Sequence, residues 1–191
     1  PLKGPQDPMQ LLAISGSLRS ASTNTALLRG LAAVAPPRAR ITVFDGLGEL
    51  PIFNPDNEGD ATPEVVRAFA AAVAAADGIV ISCPEYVHAL PGGFKNALDW
   101  LVSRSEIIGK PIALLHASHR GEDVIADLRR VLSTVSEGFA PELFAAFPMR
   151  KMTPGEIATD LARPEQTARL GEFLAAFLDH IHRAATQDAA G

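Results

Sequence analysis

Residues 14–28 read ISGSLRSASTNTALL, an apolar strand end that runs through a short polar loop directly into a helix. Ser15, Ser17, Ser20, Ser22, Thr23 and Asn24 crowd hydroxyls and backbone N–H groups at that helix start, where the macrodipole adds partial positive charge. Arg19 brings a fork-shaped cation to the same place. Strand, loop and helix in this order, with this chemistry, describe a phosphate site. A Ser/Thr-capped helix without a ligand is the alternative that one loop alone leaves open.

The pattern repeats along the chain. QLLAIS (10–15) is a short apolar run, and the helix after the loop keeps Leu27, Leu28, Leu31 and Val34 in register until Pro36 ends it. ARITVFD (39–45) is a second strand, followed by a Pro/Gly/Asn-rich loop over 46–61 whose length points to function. Residues 62–77 form a helix read as capped by Thr62 with Pro63 at its first position, and GIVISCP (78–84) is a continuous apolar strand of the kind buried in parallel sheets. Helix over 92–104, strand over 110–118, helix over 122–135, strand over 140–148 and a closing helix over 164–185 complete the reading. Five strands alternating with five helices predict a doubly wound α/β parallel sheet with helices on both faces. Any ligand then sits at the carboxyl ends of the strands, near the switch in strand order.

At 191 residues the chain is long enough for one good core, so a single domain over 10–185 is expected, with a flexible leader over 1–9 and a flexible tail over 186–191. The net charge of −5 and the lack of a dense Lys/Arg run argue against nucleic acid as a partner. No apolar run approaches the roughly 20 residues that span a bilayer, and no secretory signal is seen, so a cytoplasmic protein with no membrane partner is expected. There is no GxxxxGK[ST], and GLGELP (46–51) lacks the third glycine and preceding strand of a dinucleotide fingerprint.

CPEYVHALPGGFKNALDWLVS (83–103) places Pro, Glu, Tyr and Pro-Gly-Gly at a strand end. Together with SGSLRSASTNTALL, this stretch resembles the signatures GSLRxxSxN and PEYNxxxPGxLKNxLDW of the NAD(P)H-dependent FMN reductase family, flavodoxin-like proteins that include quinone, azo-dye and chromate reductases. The resemblance runs over roughly residues 10–135. It implies a flavodoxin-like five-stranded sheet and noncovalent FMN, which accepts hydride from NADPH or NADH at N5 and passes electrons to a quinone, azo compound, metal oxyanion or free flavin. It assigns the FMN phosphate to Ser17, Arg19, Ser22, Asn24 and Thr25, and the isoalloxazine wall to Pro84, Glu85 and Tyr86. Val87 replaces the family's usual asparagine, and His88 after it is placed on the substrate side. His116, Ala117, Ser118 and Gly121 are carried over as flavin-edge residues, although HASHRGEDV departs from the family's glycine doublet. Lys95, Asn96, Asp99 and Trp100 match KNxLDW and are read as structural. The resemblance also implies a homodimer or homotetramer and a small-molecule electron acceptor.

His116 and His119, three apart, lack a further ligand at metal spacing, so no metal site is expected. Cys83, the single cysteine, closes a buried strand and is read as a packing residue. Glu85 and Lys95 are read as a local ion pair rather than an acid–base couple. A flavodoxin-like electron carrier without NAD(P)H activity, and a non-flavin module that binds a phosphate ester, are the competing functions.

Overall fold

A computed structural model describes residues 7–149 and 151–188; the ends of the expected leader and tail, 1–6 and 189–191, lie outside the described residues. Its strands are β1 (Met9–Ser15), β2 (Ala39–Phe44), β3 (Gly78–Ser82), β4 (Ile112–His116) and β5 (Phe139–Ala146). The α-helices are α1 (Thr23–Ala33), α2 (Glu64–Ala75), α3 (Gly92–Asp99), α4 (Glu122–Val135), α5 (Pro154–Leu161) and α6 (Pro164–Asp188). All strand pairs are parallel, in the order β2-β1-β3-β4-β5. This is the strand order of a flavodoxin-like sheet, the fold that the family resemblance implies, and it reverses at β1, so the loops after β1 and β3 leave the sheet side by side.

The two-residue period of the strands sorts their side chains into two cores. Leu12, Ile14, Ile79, Ile81, Ile112 and Leu114 face α2, α3 and α4, while Leu11, Ala13, Val80, Ala113 and Leu115 face α1, α5 and α6. Both faces are covered, which explains why β3 and β4 are apolar at nearly every position. At β5 the register jumps from Ile112↔Phe139 to Leu114↔Phe144, an irregularity that accommodates Pro141 on an edge strand.

Three local differences from the sequence reading have clear causes. The cap of α2 is Pro63, not Thr62, whose buried hydroxyl accepts from Arg104 Nη2 at 3.4 Å. α3 stops at Asp99; turns over 100–103 stand where its last turn was expected, and a 3-10 segment follows at Ser105–Ile107. The sixth helix, α5, is absent from the sequence reading. It begins with a reciprocal capping box in which Thr153 Oγ1 accepts from Glu156 N at 3.3 Å while Glu156 Oε2 accepts from Thr153 N at 2.7 Å. Thr153 N, and Thr153 Oγ1 donating to Glu156 Oε2 at 2.9 Å, together hold the Glu156 carboxyl below its ordinary pKa. α5 buries Ile157 and Leu161 in the α1–α6 core, with Leu161 packed over Gly30 of α1.

The capping box therefore anchors an element that closes one side of this core. Thr153→Ala is expected to lower the unfolding free energy by about 1 kcal/mol, read as a lower urea midpoint at unchanged m-value.

Candidate functional site

The first loop is fixed before any ligand arrives. Gly16 N donates to Ser82 O at 2.9 Å, and a Cβ on Gly16 would lie 2.2 Å from Cys83 Sγ, so only glycine lets the β1 loop cross the end of β3. Ser22 caps α1, its Oγ accepting from Thr25 N at 3.2 Å. Asn24 is buried, and its Oδ1 accepts from Ser82 Oγ at 2.9 Å, which ties the helix start to β3. Ser22 and Asn24 thus act within the protein, and they set where the N-terminus of α1 points.

Beside that N-terminus opens a cleft of about 350 Å³, lined on one side by Ser17, Arg19, Ser20, Thr25 and Arg29 and on the other by the end of β2 and the turn at 45–48. Neither Arg19 nor Arg29 has a side-chain hydrogen bond or ion pair among the described residues, and both are exposed. Two unengaged guanidinium groups, several hydroxyls and the leftover N–H groups of a helix start suit a phosphate monoester. Arg29 is a site residue that the sequence reading missed. Its signal is the four-residue spacing from Thr25, which puts both on one helical face.

The second loop is a two-residue hairpin: Tyr86 N donates to Ala89 O and Ala89 N to Tyr86 O, each at 3.1 Å, with Val87 and His88 at φ 53° and 58° between them. Tyr86 and Val87 stand out to solvent, Val87 at 95% exposure. The hairpin is tied to the start of α4, since Glu85 Oε2 accepts from Val124 N at 3.2 Å and His88 Nδ1 lies 2.6 Å from Asp123 Oδ2. Glu85 is therefore not paired with Lys95, which bonds Asp99 one helical turn away. Pro84, partly buried, leads into the hairpin from Cys83, whose thiol is pushed up by burial.

At the end of β4 and the start of the loop after it, His116 and Ala117 are buried and their carbonyls accept from Phe147 N at 2.7 Å and Met149 N at 3.2 Å. Ser118 Oγ accepts from Arg120 N at 3.1 Å. Gly121 has φ 119°, and a Cβ there would lie 2.8 Å from His116 Nε2, so conformation and space both require glycine. The expected flavin-edge residues thus sit together in one tight turn. Asn96 and Trp100 of the KNxLDW stretch serve a neighbouring loop instead. Asn96 Nδ2 and Trp100 Nε1 donate to Pro51 O at 2.9 and 2.7 Å, and Phe53 N donates to Asn96 Oδ1 at 2.8 Å. They pin the long loop after β2, whose turn at 46–48 walls the cleft beside α1.

A β-branched residue in the left-handed region costs on the order of 1–3 kcal/mol, so Val87→Asn is expected to raise thermal stability, by about 1 kcal/mol. The hydrogen bond to Asp123, with its charge and that of Glu85, raises the pKa of His88 above its ordinary value. The pairing is then complete below the unfolded value of about 6.5 and is lost as pH rises through the raised folded value. NMR titration should show that elevated midpoint, and Asp123→Asn should bring it down; an unmoved midpoint would remove Asp123 as the cause.

A sequence model described as NADPH-dependent FMN reductase matches residues 9–149. The quinone reductase of Escherichia coli (strain K12) is 34% identical over 113 residues, covering 58% of this chain and 60% of that protein. An NAD(P)H-dependent FMN reductase of Pseudomonas aeruginosa is 39% identical over 114 residues, covering 59% and 61%. The chain thus spans about 60% of the length of these curated relatives. Among solved structures, FerB, a flavoenzyme NAD(P)H:(acceptor) oxidoreductase from Paracoccus denitrificans, superposes with a TM-score of 0.71 at 26% identity, over 92% of this chain and 98% of that one. Since the match takes in all five strands and each of the loops that frame the site, this chain belongs to the NADPH-dependent FMN reductase family.

Proposed function

We propose that the chain binds FMN noncovalently and acts as an NAD(P)H-dependent reductase of a small-molecule acceptor. The observation that carries this reading is the cleft at the start of α1, where Arg19 and Arg29 stand unengaged beside hydroxyls and a capped helix N-terminus. Bound FMN would supply the two-electron exchange between nicotinamide and acceptor.

The residues of the chain divide the work of holding it. Arg19 and Arg29 neutralise the phosphate, and Ser17 and Thr25 offer it hydroxyls. Ser22 and Asn24 keep the helix start in place through Thr25 N and Ser82. Pro84, Glu85, Tyr86, Val87 and His88 form the wall on one side of the ring, braced on α4. His116, Ala117, Ser118 and Gly121 form its edge on the other. Exposed Leu18, Ile52, Tyr86 and Val87 ring the carboxyl end of the sheet with apolar surface, which suits a planar acceptor and a second copy in a homodimer or homotetramer. Quinones are the acceptor class favoured by the relatives' names; azo compounds, metal oxyanions and free flavin follow from the family resemblance. Among the described residues no helix is long and apolar enough to cross a membrane.

The test is a visible absorption spectrum after incubation with FMN and desalting, followed by anaerobic NADPH and then NADH. Retained flavin that bleaches is the expected result. Flavin that stays yellow with both donors would instead make the chain an electron carrier, and a colourless protein would leave the cleft to another phosphate ester. Arg19→Gln is expected to weaken FMN binding by about tenfold or more, as loss of a charge-assisted hydrogen bond does.

A further inference from the structure

Three side chains of the kinds that ligate metals meet where the segment after β3 leans on α4. Glu85 and His88 come from that segment and Asp123 from the first turn of α4, 35 residues from His88, so spacing along the chain does not reveal the group. Each offers one ligand atom, and the three atoms lie within 4.8 Å of one another. Among the described residues this is the one group of three His, Cys, Asp or Glu side chains so arranged. None of the three lines the Arg19 cleft.

His88 Nδ1 is 3.8 Å from Glu85 Oε1 and 2.6 Å from Asp123 Oδ2. A tetrahedral cation with bonds of about 2.0–2.2 Å sets its ligand atoms roughly 3.4 Å apart, between those two distances. The adjustment needed is less than about 1 Å at any pair, and His88 and Asp123 are exposed enough to make it, at 82% and 58% for their side chains. Glu85 is held from outside the group. Its Oε2 accepts from Val124 N at 3.2 Å, which leaves Oε1 on the side of the imidazole. A ligating carboxylate tied by its other oxygen is kept in orientation, as supported metal ligands are. The start of α4 sets only about half a positive charge against the two carboxylates, so the local field favours a dication. Facing Asp123, Nδ1 carries a proton, and a cation would take that proton's place and release it to solvent.

We infer that Glu85, His88 and Asp123 form a binding site for a divalent transition-metal cation of the zinc type. The imidazole nitrogen and two carboxylate oxygens are its ligands, and solvent fills the open position. A nitrogen with two oxygens suits zinc, cobalt or nickel, whereas magnesium and calcium take six or more oxygens. The cation would join the hairpin to α4 by three coordinate bonds at the point that the His88–Asp123 hydrogen bond holds without it. Binding needs no flavin.

The experiment is calorimetric titration of zinc chloride into the purified full chain, stripped with chelator and desalted, with no flavin added and 1H–15N spectra recorded in parallel. Saturable binding of one zinc ion with Kd on the order of 10 μM or tighter is expected, with shifts centred on 85–89 and 122–125. His88→Gln, Asp123→Asn and Glu85→Gln should each weaken it by about tenfold or more. Glu85→Gln keeps an oxygen for Val124 N, so its effect reports the lost ligand and not the lost tie. His119→Gln, on the preceding loop, should bind zinc as the wild type does, and magnesium should not displace the zinc. Affinity unchanged in His88→Gln or Asp123→Asn, shifts centred on other histidines, or no saturation by the wild type would overturn the inference. Because the titration contains no flavin, such a failure leaves the FMN reading to its own test.

Discussion

The site depends on the contact between Gly16 and Cys83. β1 and β3 are neighbours at the reversal of strand order, and the chain leaving β1 passes so close to the end of β3 that the space for a single methyl group is absent. That approach lets Gly16 N reach Ser82 O and Ser82 Oγ reach Asn24 Oδ1. The start of α1 is thereby referenced to β3 as well as to its own strand. A helix N-terminus aimed by two strands holds its N–H groups in a fixed direction, which is what an anion site needs, since donors that must first be ordered give back part of what they contribute. Cys83 belongs to this packing. Its thiol is sealed and its ionisation opposed by burial, so it serves as the shape against which Gly16 fits.

Two further framing loops follow the same rule of being held from outside themselves. The long segment after β2 hangs on Pro51 O, which accepts from Asn96 and Trp100 of α3 and its end, and the Phe53 ring meets Trp100 edge-on with centroids 5.0 Å apart. The hairpin after β3 hangs on α4 through Glu85 and His88. Each loop is braced by the helix of a later crossover, so the carboxyl end of the sheet is a mutually supported rim. The sequence motif KNxLDW is legible in this light: its asparagine and tryptophan supply a paired donor set for one carbonyl, and its Lys95 and Asp99 pair with each other on the helix surface.

Much of the architecture could be read without coordinates, because strands buried on both faces and helices with one apolar stripe leave strong periodic marks. GIVIS and IALLH are such strands, and α4 carries Val124, Ile125, Leu128 and Leu132 at helical spacing. α5 escaped because it is short and buries few side chains; its start was nonetheless written in Thr153, Pro154 and Glu156, a local signal that does not depend on hydrophobic period. Thr62 misled for the opposite reason, since a Thr-Pro pair looks like a cap while Arg104, far along the chain, claims the hydroxyl. In the site, residue types were legible and their engagements were not. Nothing local shows that Asn24 turns inward to Ser82 while Arg29, further along the same helix, faces the cleft.

Val87 shows how these constraints add. A valine at φ 53° is held against its own preference, and the two hairpin bonds of Tyr86 and Ala89 alone are a modest restraint. Glu85, just before the hairpin, and His88, within it, are each bonded to the first turn of α4, whose N–H groups and carboxylate are fixed by the helix. The turn is thus clamped at two points, and relaxing Val87 would break bonds to another element at both. Strain maintained in this way keeps Tyr86 and Val87 raised above the sheet edge instead of folded onto it.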